Sequence, residues 1–136
     1  MKKILASLVI VVLSVMAVAQ NFAPWSKAVD ASAVEVDRLG NIYLVKNNVV
    51  AKYDADMNFL CAYDNYPAGS MSSLDVSNPF KVIVFYSEFN KLIYLDSKLA
   101  ELLSPLMLDD AGLYNIKVVC SSVFGGFWYS MSRIRA

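Results

Sequence analysis

The sequence predicts an all-β chain assembled from repeated four-stranded units, and three observations predict it. Short runs rich in branched and aromatic residues alternate with clusters of Asp, Asn, Gly and Pro. Matching turn residues recur at a regular interval. Tyr53-Asp54 and Leu95-Asp96 lie 42 residues apart, and Gly40-Asn41-Ile42-Tyr43 and Gly125-Gly126-Phe127-Trp128 lie 85 apart, about twice that. Finally, Lys81-Val82-Ile83-Val84-Phe85-Tyr86 has no apolar–polar alternation, as a strand covered on both faces reads.

The first unit opens with a strand at Ala33–Val36, a turn at 37–41 in which Gly40 takes positive φ, and a strand at Ile42–Val45. Asn47-Asn48 suits a tight hairpin, because Asn tolerates the left-handed conformation. Val49–Tyr53 returns, 54–58 turns again, and Phe59–Tyr63 completes four strands. The second unit has strands at Met71–Val76, Phe80–Tyr86, Lys91–Leu95 and Lys98–Leu103, the last two hinged at Asp96-Ser97. Leu99–Leu108 has the composition of a short helix, but Pro105 stops it early. A third unit begins at Tyr114–Cys120, turns at Gly125-Gly126 and enters Phe127-Trp128-Tyr129.

A period of about 40–45 residues with four strands per copy is the signature of β-propeller blades. A closed propeller takes at least four blades, and this sequence holds two and part of a third. The expectation is therefore an incomplete propeller. Truncation of a longer product is the first reading, with a piece that pairs with something else, or a small open stack of sheets, behind it.

The N-terminus carries an export signal. Met1-Lys2-Lys3 is a short positive segment and Ile4–Ala19 is apolar but for Ser7 and Ser14. Ala17-Val18-Ala19 then offers the small-x-small pattern of a cleavage site. Sixteen residues are short of the roughly 20 that cross a bilayer as a helix, so residues 1–19 read as a signal peptide and 20–136 as the domain. The expected location is periplasmic or secreted, with the membrane engaged only during export. Of 12 basic and 12 acidic residues, Lys2 and Lys3 leave with the leader, giving 10 − 12 = −2. With no basic stripe, nucleic acid is not an expected partner.

There is no histidine, which removes the usual general base, the usual zinc ligand and any triad built on one. Asp54-x-Asp56-x-Asn58 resembles the start of a calcium loop, but Phe59 and Asn65 stand where Gly and Glu are required. That segment, like Asp109-Asp110-Ala111-Gly112, reads as a polar turn. Asp37, Asp75 and Asp96 are carboxylates that a glycoside-cleaving pair could use, yet all three fall at turns or strand ends, where Asp serves the backbone. Trp25, Tyr43, Tyr86, Trp128 and Tyr129 read as packing between sheets rather than as a sugar or peptide site. Cys61 and Cys120 read as small buried hydrophobes in different units. No catalytic, cofactor or metal residue is assigned, and no cofactor is expected.

The segments Asp37-x-x-Gly40-Asn41-Ile42-Tyr43, Lys52-Tyr53-Asp54, Leu74-Asp75-Val76-Ser77-Asn78-Pro79, Phe85-Tyr86, Leu95-Asp96 and Cys120-x-Ser122 before Gly126-x-Trp128 resemble the opening blades of exported bacterial β-propeller proteins, NHL-like ones among them. The resemblance implies six or seven blades when complete; it identifies a blade rather than an activity. The expected role is a non-catalytic binding or scaffold module of the cell envelope. The alternatives are a secreted propeller hydrolase whose catalytic residues lie in further blades, and a small extracellular protein that assembles through open sheet faces.

Overall fold

The computed structural model describes residues 27–132, so the leader at 1–19 and Trp25 lie outside the described residues. The described chain is all-β, with three antiparallel sheets that do not close into a ring. The first is a meander of β1 (Ala33–Val36), β2 (Ile42–Lys46), β3 (Val49–Tyr53) and β4 (Phe59–Tyr63). The second repeats that order with β5 (Ser73–Asp75), β6 (Val82–Tyr86), β7 (Lys91–Leu95) and β8 (Leu106–Met107). The third is the hairpin of β9 (Ile116–Ser121) and β10 (Phe127–Met131).

One turn design recurs, and it explains the recurring Asp. At 37–41 the N–H of Asp37 donates to Asn41 O and that of Gly40 to Asp37 O, while the Asp37 carboxylate accepts from the N–H groups of Leu39 and Asn41. The same four bonds form at 54–58 and at 96–100. Ser122 takes the Asp position at 122–126, with its own hydroxyl accepting from Phe124 N–H. The fourth residue of each turn has positive φ: Gly40 (+83°), Met57 (+63°), Leu99 (+61°) and Gly125 (+87°). For Met57 and Leu99 that conformation costs about 1 kcal/mol, and the Asp hydrogen bonds offset it. Asn47 and Asn48 both have positive φ, the tight hairpin expected of them.

The sheets stack face to face, and the strand period sorts every residue. Along β6, Val82, Val84 and Tyr86 pack toward the first sheet with Tyr43, Val45 and Val50. Ile83 and Phe85 pack toward the third with Ile116 and Val119. β7 divides likewise, Ile93 and Leu95 on one side and Leu92 and Tyr94 on the other. All five residues of β6 are buried because both faces are covered, which is why the sequence shows no alternation there.

Three sequence expectations need correction. The fourth strand of the second sheet is β8 at Leu106–Met107, not Lys98–Leu103; the Asp96 turn forces Leu99 to positive φ, leaving only a bridge from Leu95 to Glu101. Leu99–Leu108 is not a helix either: β8 is followed by a 3-10 turn at Leu108–Ala111. Cys120 is exposed, because it lies on the face of the third sheet that no described residue covers, whereas Cys61 is half-buried against the first core. Both thiols are free.

The linker between the first two sheets is fixed by Gly69. The Asn48 amide donates to Gly69 O, and Met71 N–H donates to Asn48 Oδ1 at 2.6 Å. Gly69 has φ +83° and ψ −162°, a region open essentially to glycine alone. A Cβ there would lie 2.8 Å from Glu88 Oε2 and 2.9 Å from the Phe89 ring. Gly69→Ala is expected to cost about 2–3 kcal/mol, measured as a lowered urea midpoint with an unchanged slope.

Candidate functional site

The inner turns of the three sheets gather at one end of the stack because side chains tie each to the next. Arg38 donates from Nε and Nη2 to Ser77 O, at 2.9 and 2.6 Å. Asp75 accepts from Ser77 N–H at 2.8 Å and from Ser121 N–H. Between these turns lies an open groove of about 430 Å³, lined by Arg38, Ser77, Asn78, Lys81, Ser121, Ser122 and the backbone of Gly125 and Gly126. Its cations are partly engaged: Arg38 through Ser77, and Lys81 over the Tyr94 ring with Nζ 4.3 Å from the centroid. A second open groove, about 460 Å³, lies at the β2–β3 turn among Asn47, Asn48, Tyr66, Gly69, Ser70 and Glu88.

Asp37, Asp54 and Asp96 each bond within their own turn or strand end, whereas Asp75 also reaches across to Ser121 of the third sheet. Asp37 accepts from Leu39 and Asn41 N–H, from the Asn41 amide at 2.8 Å and from the buried Tyr43 hydroxyl at 3.0 Å. Asp54 accepts from Asp56 N–H, Asn58 N–H and the Asn58 amide, the local bonding of a polar turn. Asp96 accepts from Lys98 and Ala100 N–H. Asp109 accepts from the Asn90 amide at 2.5 Å, in the 3-10 turn that ends at left-handed Gly112. Among the described residues no three His, Cys, Asp or Glu side chains group as metal ligands.

Of the aromatics, Tyr43 and Tyr86 are buried between the first two sheets, as packing residues are. Trp128 and Tyr129 are exposed on the third sheet.

Every resolved proton affinity moves away from neutrality. Burial raises the Asp37 and Asp75 carboxyls, but the hydrogen bonds they accept outweigh it and hold both below the ordinary value. Asn58 holds Asp54 down, and the Ala100 N–H holds Asp96 down. Burial raises the Tyr43, Tyr63 and Tyr94 hydroxyls and the Cys61 thiol, and pushes Tyr86 up to about 12. A general acid or base works best with a pKa near the working pH, and these shifts run the other way. The Asp37, Asp54, Asp75 and Asp96 carboxylates are hydrogen-bond acceptors, and the Tyr43 and Tyr63 hydroxyls are donors to Asp37 and Glu101. The groove presents two cations, hydroxyls and turn amides around a polar depression.

Sequence reasoning did not find Arg38, Ser77, Lys81, Ser121 and Ser122 as one site, since they meet only through stacking of sheets. It also missed Lys52, 4% exposed, whose Nζ donates to Ser97 O at 2.8 Å and lies 5.2 Å from the Tyr43 ring centroid. The chain matches no protein-family model and no curated protein.

Proposed function

We propose that this chain is an exported, non-catalytic binding or scaffold module of the cell envelope, built from propeller-type blades of the NHL-like kind. The observation that carries the blade reading is the stack itself. Successive antiparallel meanders meet face to face, with the same five-residue turn at one end of each. A radial array of blades around a central channel is made in this way. Recognition rather than turnover is the chemistry that the groove at Arg38, Ser77 and Lys81 supports, given carboxylates committed to turns and protonated tyrosines. The export reading rests on residues 1–19.

The test is to express the full chain with a C-terminal tag, fractionate the cells and determine the mature mass. The expected product starts at Gln20 and is found in the periplasm or medium. It turns over no chromogenic ester or glycoside. A membrane-bound form retaining Leu8–Leu13 would overturn the export reading, and turnover abolished by Asp75→Asn would overturn the non-catalytic one.

A further inference from the structure

Both ends of the stack present apolar faces that no described residue covers. On the outer face of the first sheet, Val34 is 51% and Val36 60% exposed, beside Ile42, Leu44 and Tyr53. An apolar depression of about 170 Å³ runs along it, between Val29, Val34, Ile42 and Leu44. On the outer face of the third sheet, Val118 is 49% and Trp128 62% exposed, beside Cys120, around a depression of about 200 Å³.

The strand registers say what fits these faces. Turn bonding and pairing align Val34 and Val36 with Leu74 and Val76 in the second sheet. They align Ile42, Leu44, Ala51 and Tyr53 with Val82, Val84, Ile93 and Leu95. That face of the second sheet is covered by the sheet before it. By the same alignment Val118, Cys120 and Trp128 take the places of Ala33, Glu35 and Tyr43. Tyr43 is fully buried by the sheet that follows it. Among the described residues the first sheet thus has no preceding neighbour and the third has no following one, and each is the kind of neighbour that would fit the other.

We propose that two copies of this chain close head to tail, the outer face of the β9–β10 hairpin of each stacking on the outer face of the first sheet of the other. The docking mode continues the two sheet–sheet interfaces already present within the chain and rests on register alone. The number of copies rests on the blade reading above. Two copies stack six layers, four of them four-stranded sheets and two of them β9–β10 hairpins, against the four to eight four-stranded blades typical of a propeller ring, and three copies stack nine. Such a head-to-tail contact forms a ring if the rotation closes and a filament if it does not.

The inner strands predict the contact residue by residue. Between the second and third sheets, Ser73 Oγ accepts from Val119 N–H at 3.3 Å, and Asp75 accepts from Ser121 N–H. Carried forward one interface, Ser73 and Asp75 become Val118 and Cys120, and Val119 and Ser121 become Val34 and Val36 of the second copy. The side chains of Ser73, Asp75 and Ser121 are replaced by Val118, Cys120 and Val36, so the side chains that meet are apolar on both sides, while the backbone N–H groups of Val34 and Val36 have no side-chain acceptor opposite them. Cys120 is placed against Val36 of the second copy.

The purified exported chain is therefore examined by gel filtration with light scattering over a hundredfold concentration range, then as Val36→Cys under mild oxidation. The expected mass is twice that of the chain. Val36→Cys is expected to give a covalent dimer on a non-reducing gel, lost in Val36→Cys/Cys120→Ser. Because Val36 is exposed in the single chain, the variant should keep its circular dichroism, and Trp128→Asp should give a folded monomer. A wild-type monomer throughout would overturn the proposal, as would cross-linking of Val36→Cys that survives in the Cys61→Ser/Cys120→Ser background, since that places Val36 against Val36. An open-ended assembly would overturn the closed pair. None of these outcomes bears on export or turnover, which the preceding experiment tests separately.

Discussion

Val84→Asp is expected to abolish the folded state, whereas Val34→Asp should leave it intact. The two positions lie on equivalent faces of the second and first sheets and differ in what covers them. Val84 is fully buried, enclosed by the first sheet and its own strand neighbours. A carboxylate there loses its hydration, and Lys52, the buried cation at this interface, is engaged by Ser97 O and the Tyr43 ring, so the penalty is several kcal/mol, beside the lost transfer energy of the valine, roughly 1.5–3 kcal/mol. The sum approaches the whole stability of a small domain, about 5–15 kcal/mol. Val34 keeps half its surface, so its carboxylate stays hydrated. Far-ultraviolet circular dichroism with urea titration reads both: a missing transition for Val84→Asp, and a cooperative one for Val34→Asp. A cooperative transition for Val84→Asp near the wild-type midpoint would mean that the second sheet is not enclosed.

The second large effect is expected at Asp37. Asp37→Ala removes an acceptor that serves two backbone N–H groups, the Asn41 amide and the buried Tyr43 hydroxyl. Leaving a buried donor unpaired costs about 1–3 kcal/mol, so a loss of about 3 kcal/mol is expected. Asp54→Ala breaks the same turn on the exposed surface and should cost clearly less. The carboxylates also set the acid limit. Asp37 and Asp75 have folded values below the ordinary 3.8. The stability they contribute is therefore present above about pH 4 and is lost as pH falls through their lower folded values. At the alkaline end the sign reverses: the raised tyrosines, Tyr86 at about 12 among them, stabilise below pH 10, and that contribution is lost as pH rises beyond it. Thermal midpoints across pH should be flat between about 5 and 9. Asp37→Ala should soften the acid fall, and an unchanged acid slope would contradict the role given to that carboxylate.

What the sequence made legible was whatever depends on neighbours in the chain. Asp54 and Asp96, 42 residues apart, make the same four hydrogen bonds, and Gly40 and Gly125, 85 apart, take the same positive φ. The unbroken apolar run at Val82–Tyr86 correctly indicated cover on both sides. Lys98–Leu103 misled because its apolar residues resemble a strand, while the Asp96 turn dictates the backbone around Leu99. Pro105, which has no N–H to donate, precedes the short β8. Cys120 misled for another reason: its burial depends on whether a further sheet covers its face, which local pattern does not encode. The groove was illegible because Arg38 and Ser77 lie 39 residues apart and meet only through stacking.

β6 lies in the middle of a face-to-face stack, with alternate residues committed to different neighbours. Methyl-resolved nuclear Overhauser spectroscopy on the purified chain tests it most directly. The Ile83 methyls are expected to see Ile116 and Val119, and the Val84 methyls Val45 and Val50 of the first sheet, with no crossing between the two sets. Contacts from Ile83 and Val84 to one common neighbour, or none from Ile83 to Val119, would contradict it.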